Sequence, residues 1–481
     1  MKFYNTMFKK QRTSLFLLLM LTTFFGYAQK GTQSPYSVFG IGELDMGQYA
    51  AFSSMGGVSI ACTDSTVANH NNPASYAYFN RNRPVFQVGM NGRFSNFESA
   101  NANSSQQTFG LNQFQLGLPI KKNWGASLGL VPYSFTGYTI LNYGIDADGD
   151  TTSHSINEGT GAISKVFLGI AFKAVDKSKL DTNETKKDTT YVIKTHKLSL
   201  GVHGNYLFGN SAKTQSFEYQ ISNLSYNARV KNALRISDAS ADFGINYQYF
   251  FRPAYTDSLN NGSISIGASY SPGFKLRAYQ DLLSYTYLGS FYNVGSSATV
   301  VDTIENIVDN EGSIYIPEQY KFGFEYRFGW KPSSKGERQL RLGLEANYQK
   351  WTTYYEDFGS ITNSPFRDRL SLGFGLEYSP VIENDPSISI LSRTNYRLGF
   401  NYTQTELSIN GTNLDNYGMS FGLGIPLNIN STNTNLNLGA TLGSMGTTEN
   451  GLIREKYLGV FFGISIIPDK NDTWFVKRKY D

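Results

Sequence analysis

The sequence predicts an all-β protein, a transmembrane β-barrel of the bacterial outer membrane. Three observations carry that expectation: a secretory start, an aromatic-rich and charge-poor composition, and a long train of alternating side chains.

The start is basic, with Lys2, Lys9, Lys10 and Arg12, and an apolar run from Leu15 to Phe25 follows. That run is shorter than the roughly 20 residues a membrane span needs, and Gly26-Tyr27-Ala28 offers small residues for cleavage before Gln29. Residues 1–28 therefore read as a signal peptide and stand outside the fold. No cysteine lies near the cleavage point, so no lipid anchor is expected there.

Composition separates a barrel from soluble domains. Charged residues make up 17% of the chain, against about 25% in soluble domains, and aromatics reach 15%, with 33 Tyr and 34 Phe. Mean hydropathy is only -0.32, because no stretch after the signal is continuously apolar. Helical spanning is thereby excluded, whereas a barrel wall asks only that alternate residues be apolar. The net charge of +4 is spread along the chain without a basic block, which excludes nucleic acid as a partner. Cys62 is the only cysteine, so neither a disulfide nor a cysteine metal cluster can form.

From residue 84 to 468 the chain reads as barrel. In the stretch 320–330, Tyr320, Phe322, Phe324, Tyr326, Phe328 and Trp330 share one face, and Lys321, Gly323, Glu325, Arg327 and Gly329 share the other. The same alternation returns in Leu340 to Gln349, Arg369 to Tyr378, Tyr396 to Tyr402, Tyr417 to Leu427 and 454–467. A soluble sandwich also alternates, but about sixteen such segments exceed what one sandwich holds. Trp124, Trp330, Trp351, Tyr354 and Tyr355 fall at segment ends, where interfacial girdles belong.

An even strand number puts both termini on the periplasmic side. Lys121–Asn123, Pro272–Gly273 and Asn428–Thr432 then read as short periplasmic turns, and 139–160, 290–315 and 353–367 as long outer loops. Segment 175–195 breaks the scheme as a long periplasmic connection. Residues 29–83 alternate little and read as an N-terminal hatch that plugs the lumen, and 469–481, with Lys477, Arg478 and Lys479, as a periplasmic tail.

Within the hatch, Ser54-Met55-Gly56-Gly57-Val58 through Asp64-Ser65-Thr66, followed by Asn72-Pro73-Ala74, resembles the hatch of FadL-like outer-membrane transporters. Ser34-Pro35-Tyr36-Ser37, Phe39 to Gly42, and the closing Trp474 to Tyr480 resemble a Bacteroidetes-type branch of such barrels. The resemblance implies fourteen strands rather than sixteen, with a weak segment such as 214–235 becoming loop. It also implies hatch roles for Gly56, Gly57, Asn72, Pro73 and Ala74, and an opening in the third wall strand. That strand, 124–138, contains Val131-Pro132-Tyr133. Proline donates nothing to a ladder, so Pro132 fits either a local wall opening or a tolerated bulge.

No catalytic constellation emerges. Gly418-Met419-Ser420-Phe421-Gly422 matches a nucleophile elbow, but Ser420 lies within an alternating strand and no histidine follows His203. His70, His154, His196 and His203 lack ligand spacing, and no metal or cofactor is expected. Asp146, Asp148 and Asp150 begin like a calcium loop, but Thr151 and Asn157 stand where glycine and glutamate are required. The inward charges Glu325, Arg327, Arg341, Glu345, Arg369, Glu377 and Arg397 form either cross-strand pairs that stiffen the lumen or a polar track for a substrate.

Two functions follow as expectations. One is an uptake channel for small hydrophobic molecules such as fatty acids, with lateral release through the wall and a hydrophobic or detergent-like ligand in the lumen. The other is an accessory barrel subunit of an outer-membrane assembly or secretion complex, with outer-membrane or periplasmic protein partners. Outer-membrane lipids are partners in both.

Overall fold

A computed structural model describes residues 31–468 except 46, 82, 185–188, 220–225, 254–260, 291–297, 331–337, 360, 363–365, 381–388 and 430–431. The expected signal peptide and periplasmic tail lie outside the described residues, save that the hatch is described from Gly31 onward.

The hatch contributes one short strand, β1 (Glu43–Leu44), and turns of helix at Pro35–Val38, Ala50–Ser53 and Pro73–Tyr78. The wall begins with β2 (Val85–Glu98), β3 (Asn103–Lys121), β4 (Trp124–Ile145), β5 (Thr151–Glu184), β6 (Thr189–Tyr219), β7 (Asn227–Pro253) and β8 (Asn261–Ser271). Next come β9 (Phe274–Leu288), β10 (Thr299–Ile316), β11 (Gln319–Trp330), β12 (Arg338–Gln349), β13 (Tyr355–Asp357) and β14 (Ile361–Thr362). The chain closes with β15 (Arg369–Ser379), β16 (Asn395–Ile409), β17 (Thr412–Ile429), β18 (Thr432–Met445) and β19 (Arg454–Ile467).

Strands β2 to β8, β11, β12 and β15 to β19 form a closed antiparallel barrel of 14 strands. Closure is the β19–β2 ladder, from Arg454↔Glu98 to Ile466↔Phe86. Closure satisfies the backbone of the wall inside the sheet, as a lipid environment demands, except where β3 and β4 part beyond Phe114↔Leu130. The alternation resolves as expected in β11, where Phe322 is 59% exposed and Glu325 only 1%.

The count is fourteen, as the resemblance implied and below the sixteen apparent segments, with β9 and β10 lying above the wall. Pro272–Gly273 is not a periplasmic turn: it bends a rising strand so that β8 stays in the wall and β9 continues outside it. Pro317 bends the descending strand between β10 and β11 in the same way. Neither proline can donate to a ladder, so the break falls where pairing changes partner. Below the bends β8 pairs with β7 and β11; above them β9 pairs with the outer part of β7, Asn227↔Tyr287 to Ile236↔Ala278, and with β10.

Three further expectations are corrected. Most of 139–160 and 290–315 is strand rather than loop, as is 214–235 outside residues 220–225. Segment 175–195 continues the β5–β6 ladder below the level of Trp124, with Glu184↔Thr189 as its last pair. Trp351 and Tyr354 do not join a girdle. The 3-10 turn Trp351–Thr353 folds them inward, each 2% exposed, onto a core with Ile41, Ile163, Leu207, Ile236, Leu276 and Ile314. Trp124, 42% exposed and stacked on Phe172, does lie on the outer surface.

Candidate functional site

The hatch sits against lumen-facing glycines, which leave room for its backbone. At Gly399 a Cβ would come within 2.0 Å of the Gly56 nitrogen, and at Gly201 within 2.4 Å of the Pro73 carbonyl carbon. Gly56 itself has φ +65°, a conformation that L side chains resist, and any Cβ there would meet the Phe400 carbonyl oxygen at 2.4 Å. Gly57 follows with φ +87° and its carbonyl accepts from Gln48.

Side chains of the wall then bind that backbone directly. Glu345 Oε2 on β12 accepts from the Ser59 and Ile60 amides at 2.6 and 2.9 Å, and Ser420 Oγ on β17 accepts from the Gly56 amide at 3.1 Å. The elbow-like Ser420 is therefore a hatch ligand in mid-strand. Asn72 caps the Pro73–Tyr78 turn through the Ala74 amide, and its Nδ2 donates to the carbonyls of Ile60 at 2.7 Å and Ile245 at 3.1 Å. Pro73 opens the turn and Ala74 is fully buried beneath it. The Tyr76 hydroxyl meets His203 Nε2 at 2.7 Å. Burial pushes the Cys62 thiol up to about 11, a third effect of the same seat.

The lumen charges fall into two groups. Glu325, Arg327, Arg341, Glu377 and Arg397 form one buried network: Glu325 accepts from Arg327 at 2.6 Å and Arg341 at 2.7 Å, and Glu377 from Arg397 at 2.5 Å, with Arg341 at 3.5 Å. Of the other two, only Glu345 departs from cross-strand pairing. Glu345 serves the hatch, and Arg369 binds Glu406 at 2.6 Å. Sequence reasoning missed a third cluster, in which Arg93 on β2 joins hatch Glu43 at 3.2 Å and Glu455 at 2.9 Å over the Tyr457 ring. Its signal was available, since Arg93 and Glu455 are the inward charges of the first and last wall strands.

Between hatch and wall lies a cavity of about 390 Å³ whose lining includes Glu43, Asp45, Gln48, Arg93, Arg369 and Glu406. These charged groups share the lining with apolar ones such as Phe39, Leu44, Phe109, Phe135 and Leu407. Asp45 is held above the usual carboxylate range by burial, with Glu43 nearby adding to the effect.

Val131, Pro132 and Tyr133 stand where the wall divides. The β3–β4 ladder runs only from Lys121↔Trp124 to Phe114↔Leu130. Beyond it β3 remains paired to β2 as far as Asn103, and β4 to β5 as far as Ile145. The edge of β4 so released is taken by the hatch, with β1 paired at Glu43↔Phe135 and Leu44↔Ser134 and the Asp45 amide donating to the Tyr133 carbonyl at 3.0 Å. Pro132 adjoins a bulge in the β4–β5 ladder.

Among the described residues no group of three His, Cys, Asp or Glu side chains is placed to hold a metal ion. Asp146 accepts from the Asp148 and Asp150 amides, closing a turn, and His154 lies 3.0 Å from Glu218. His70 stacks on Phe167, and His196 bonds Tyr247 at 2.8 Å.

The BamG family model matches residues 7–481. The chain belongs to the BamG family. Among solved structures this BamG chain is similar to a Pseudomonas aeruginosa FadL homologue, at 13% identity over 88% of this chain and 98% of that one, with a TM-score of 0.46. It is also similar to the Ralstonia pickettii toluene transporter TbuX, at 13% identity over 87% and 97% of the two chains, with a TM-score of 0.43. The Pseudomonas putida toluene transporter TodX gives 12% identity, 88% and 98% coverage, and a TM-score of 0.42. No curated protein matches. The family is the one the model over residues 7–481 shows, BamG.

Proposed function

We propose that the protein is a plugged, non-conducting barrel subunit of an outer-membrane assembly or secretion complex. One observation carries this reading: Glu345 and Ser420 of the wall bind the hatch backbone, Asn72 of the hatch binds the wall at the Ile245 carbonyl, and the cavity between them carries Glu43, Asp45, Arg93 and Arg369. A hydrophobic solute leaving lipid for this cavity would meet Glu43, Asp45, Arg93 and Arg369 among the apolar lining, and those groups would lose hydration without new partners. The family model that spans the chain is BamG, and the transporters of like fold share 13% identity or less with it. The test is purification from native membranes in mild detergent, paired with conductance and solute uptake by the barrel alone in liposomes. A stoichiometric complex with a silent barrel is expected; uptake of a labelled hydrocarbon by the isolated barrel overturns the reading.

A second reading is favoured by the divided β3–β4 seam. There the chain is a channel for small hydrophobic molecules, fatty acids among them, releasing them sideways beside Val131, Pro132 and Tyr133 into outer-membrane lipid. In that case the hatch strand β1 withdraws from the edge of β4 during passage. Variants that cross-link β1 to β4 would abolish uptake of labelled fatty acid or toluene while leaving the folded barrel intact. Unchanged uptake after cross-linking removes lateral release.

A further inference from the structure

The β9–β10 ribbon stands above the wall and carries an exposed apolar row far along the strand from the bend. From the bend at Pro317, Ile304 lies thirteen residues up the ribbon, a rise of roughly 40 Å at about 3.3 Å per residue. Beside it on β10, Val301, Ile304 and Val308 are 43%, 66% and 63% exposed. Large apolar groups exposed outside the lipid band mark contact surfaces.

Their placement is tied to the ladder. The β9–β10 register shifts between Val300 and Asp302, between Thr303 and Glu305, and between Ile307 and Asn310. Val301, Ile304 and Val308 occupy the bulged positions. A bulge re-aims its extra side chain, and here each of the three bulges presents a β-branched apolar group. Asp309, at the third bulge, has φ 55° and its amide donates to Asp281.

The opposite edge of β10 is open along the same stretch. Strand β13 pairs only with Ser313 to Tyr315, and the Asn310 side chain reaches the Phe358 carbonyl at 3.4 Å. From Thr299 to Asp309, among the described residues, the only ladder partner of β10 is β9. Unpaired edges of this length are sites of strand addition or lateral docking.

Charge selects the occupant. The strand carries Asp302, Glu305, Asp309 and Glu311 and no basic residue. Asp309 is bound by Arg235, and Glu311 faces Arg277 at 3.8 Å. Asp302 and Glu305 have no ion pair among the described residues, and they flank Ile304. A second copy of this chain would set acid against acid, and an anionic lipid surface meets the same repulsion.

We propose that the outer edge of β10, around Val301, Ile304 and Val308, docks an extended, basic segment of another outer-surface protein, its apolar side chains on this row and its Lys or Arg against Asp302 and Glu305. The inference rests on the subunit reading and names the face and chemistry of one contact.

The test uses the full chain in detergent and a labelled synthetic peptide of alternating Val and Lys, with a Val and Glu peptide as its counterpart. The Lys peptide is expected to bind, to weaken several-fold between about 0.1 and 0.4 M salt, and to lose about tenfold in affinity with Ile304→Asn plus Val308→Asn. Equal binding of the two peptides, or binding unaltered in the double variant, overturns the proposal. Both proteins are checked for the heat-modifiable mobility of a folded barrel. In cells, a photo-crosslinker at Ile304 should capture a protein through a basic segment; an adduct with a second copy or with lipid, or no adduct, overturns it. The two readings fail separately. If the native complex persists but Ile304 captures nothing, only this inference falls; if no complex exists, the subunit reading falls.

Discussion

Replacing Glu345 by alanine should unseat the hatch, and Cys62 should report it. The carboxylate, half-buried at the edge of the cavity, accepts two short bonds from the amides of the fully buried Ser59 and Ile60. Charge-assisted bonds contribute about 1.5–3 kcal/mol each, and the variant leaves two buried donors unsatisfied. Relief from desolvating the carboxylate offsets part of that, so a net loss of about 3 kcal/mol is expected for the seat. At about 1.4 kcal/mol per decade, transient opening rises roughly a hundredfold. Cys62 is 3% exposed and two residues beyond Ile60, so its labelling by a maleimide measures that opening without any added cysteine. Glu345→Gln keeps an acceptor and should rise only about fivefold, a loss of about 1 kcal/mol. If the alanine variant labels at the wild-type rate while the denatured chain labels fully, Glu345 does not hold the hatch.

Other expectations follow from the same geometry. Gly399→Val places a side chain against the Gly56 amide and should raise Cys62 labelling much as Glu345→Ala does, with the barrel still heat-modifiable. Arg341→Met leaves Glu325 and Glu377 each with one fewer cation in a buried network, and should cost about 3 kcal/mol, read as a lower midpoint in urea. For Asp45 the folded carboxyl titrates above its unfolded value, so its contribution is fullest in acid and is lost as pH rises through the folded value. Hydrogen exchange of the buried hatch amides, relative to an unstructured peptide, should therefore be slower at the acid end of a pH series than at its alkaline end, and Asp45→Asn should flatten that difference.

The two Pro-bent strands show where pattern reading fails. The stretch 299–316 alternates poorly, with Val300-Val301 and Ile307-Val308 adjacent, and so reads as loop, although it is a bulged strand. Whether the apolar face meets lipid, a core or water depends on height above the bend at Pro317, which no local pattern encodes. Trp351 and Tyr354 mislead for the same reason, since an aromatic at a strand end suits both a girdle and the packed turn where these two lie. Ser420 was legible as a lumen-facing serine but not as a hatch acceptor, because its partner amide is 364 residues away.

Periodicity, composition and the secretory start alone determined a wall of alternating strands, the inward set of Glu325, Arg327, Arg341, Glu377 and Arg397, and a separate glycine-rich segment ahead of it. These are properties of neighbours along the chain, and the two-residue repeat of a strand writes them directly into sequence. Closure at fourteen strands, the seam where β3 leaves β4, and the seat of Gly56, Ser59 and Ile60 on Ser420 and Glu345 were decided only in three dimensions. Each depends on which strand stands beside which, and at what height. Hydrogen bonds between residues hundreds of positions apart fix that, and they leave no period to read.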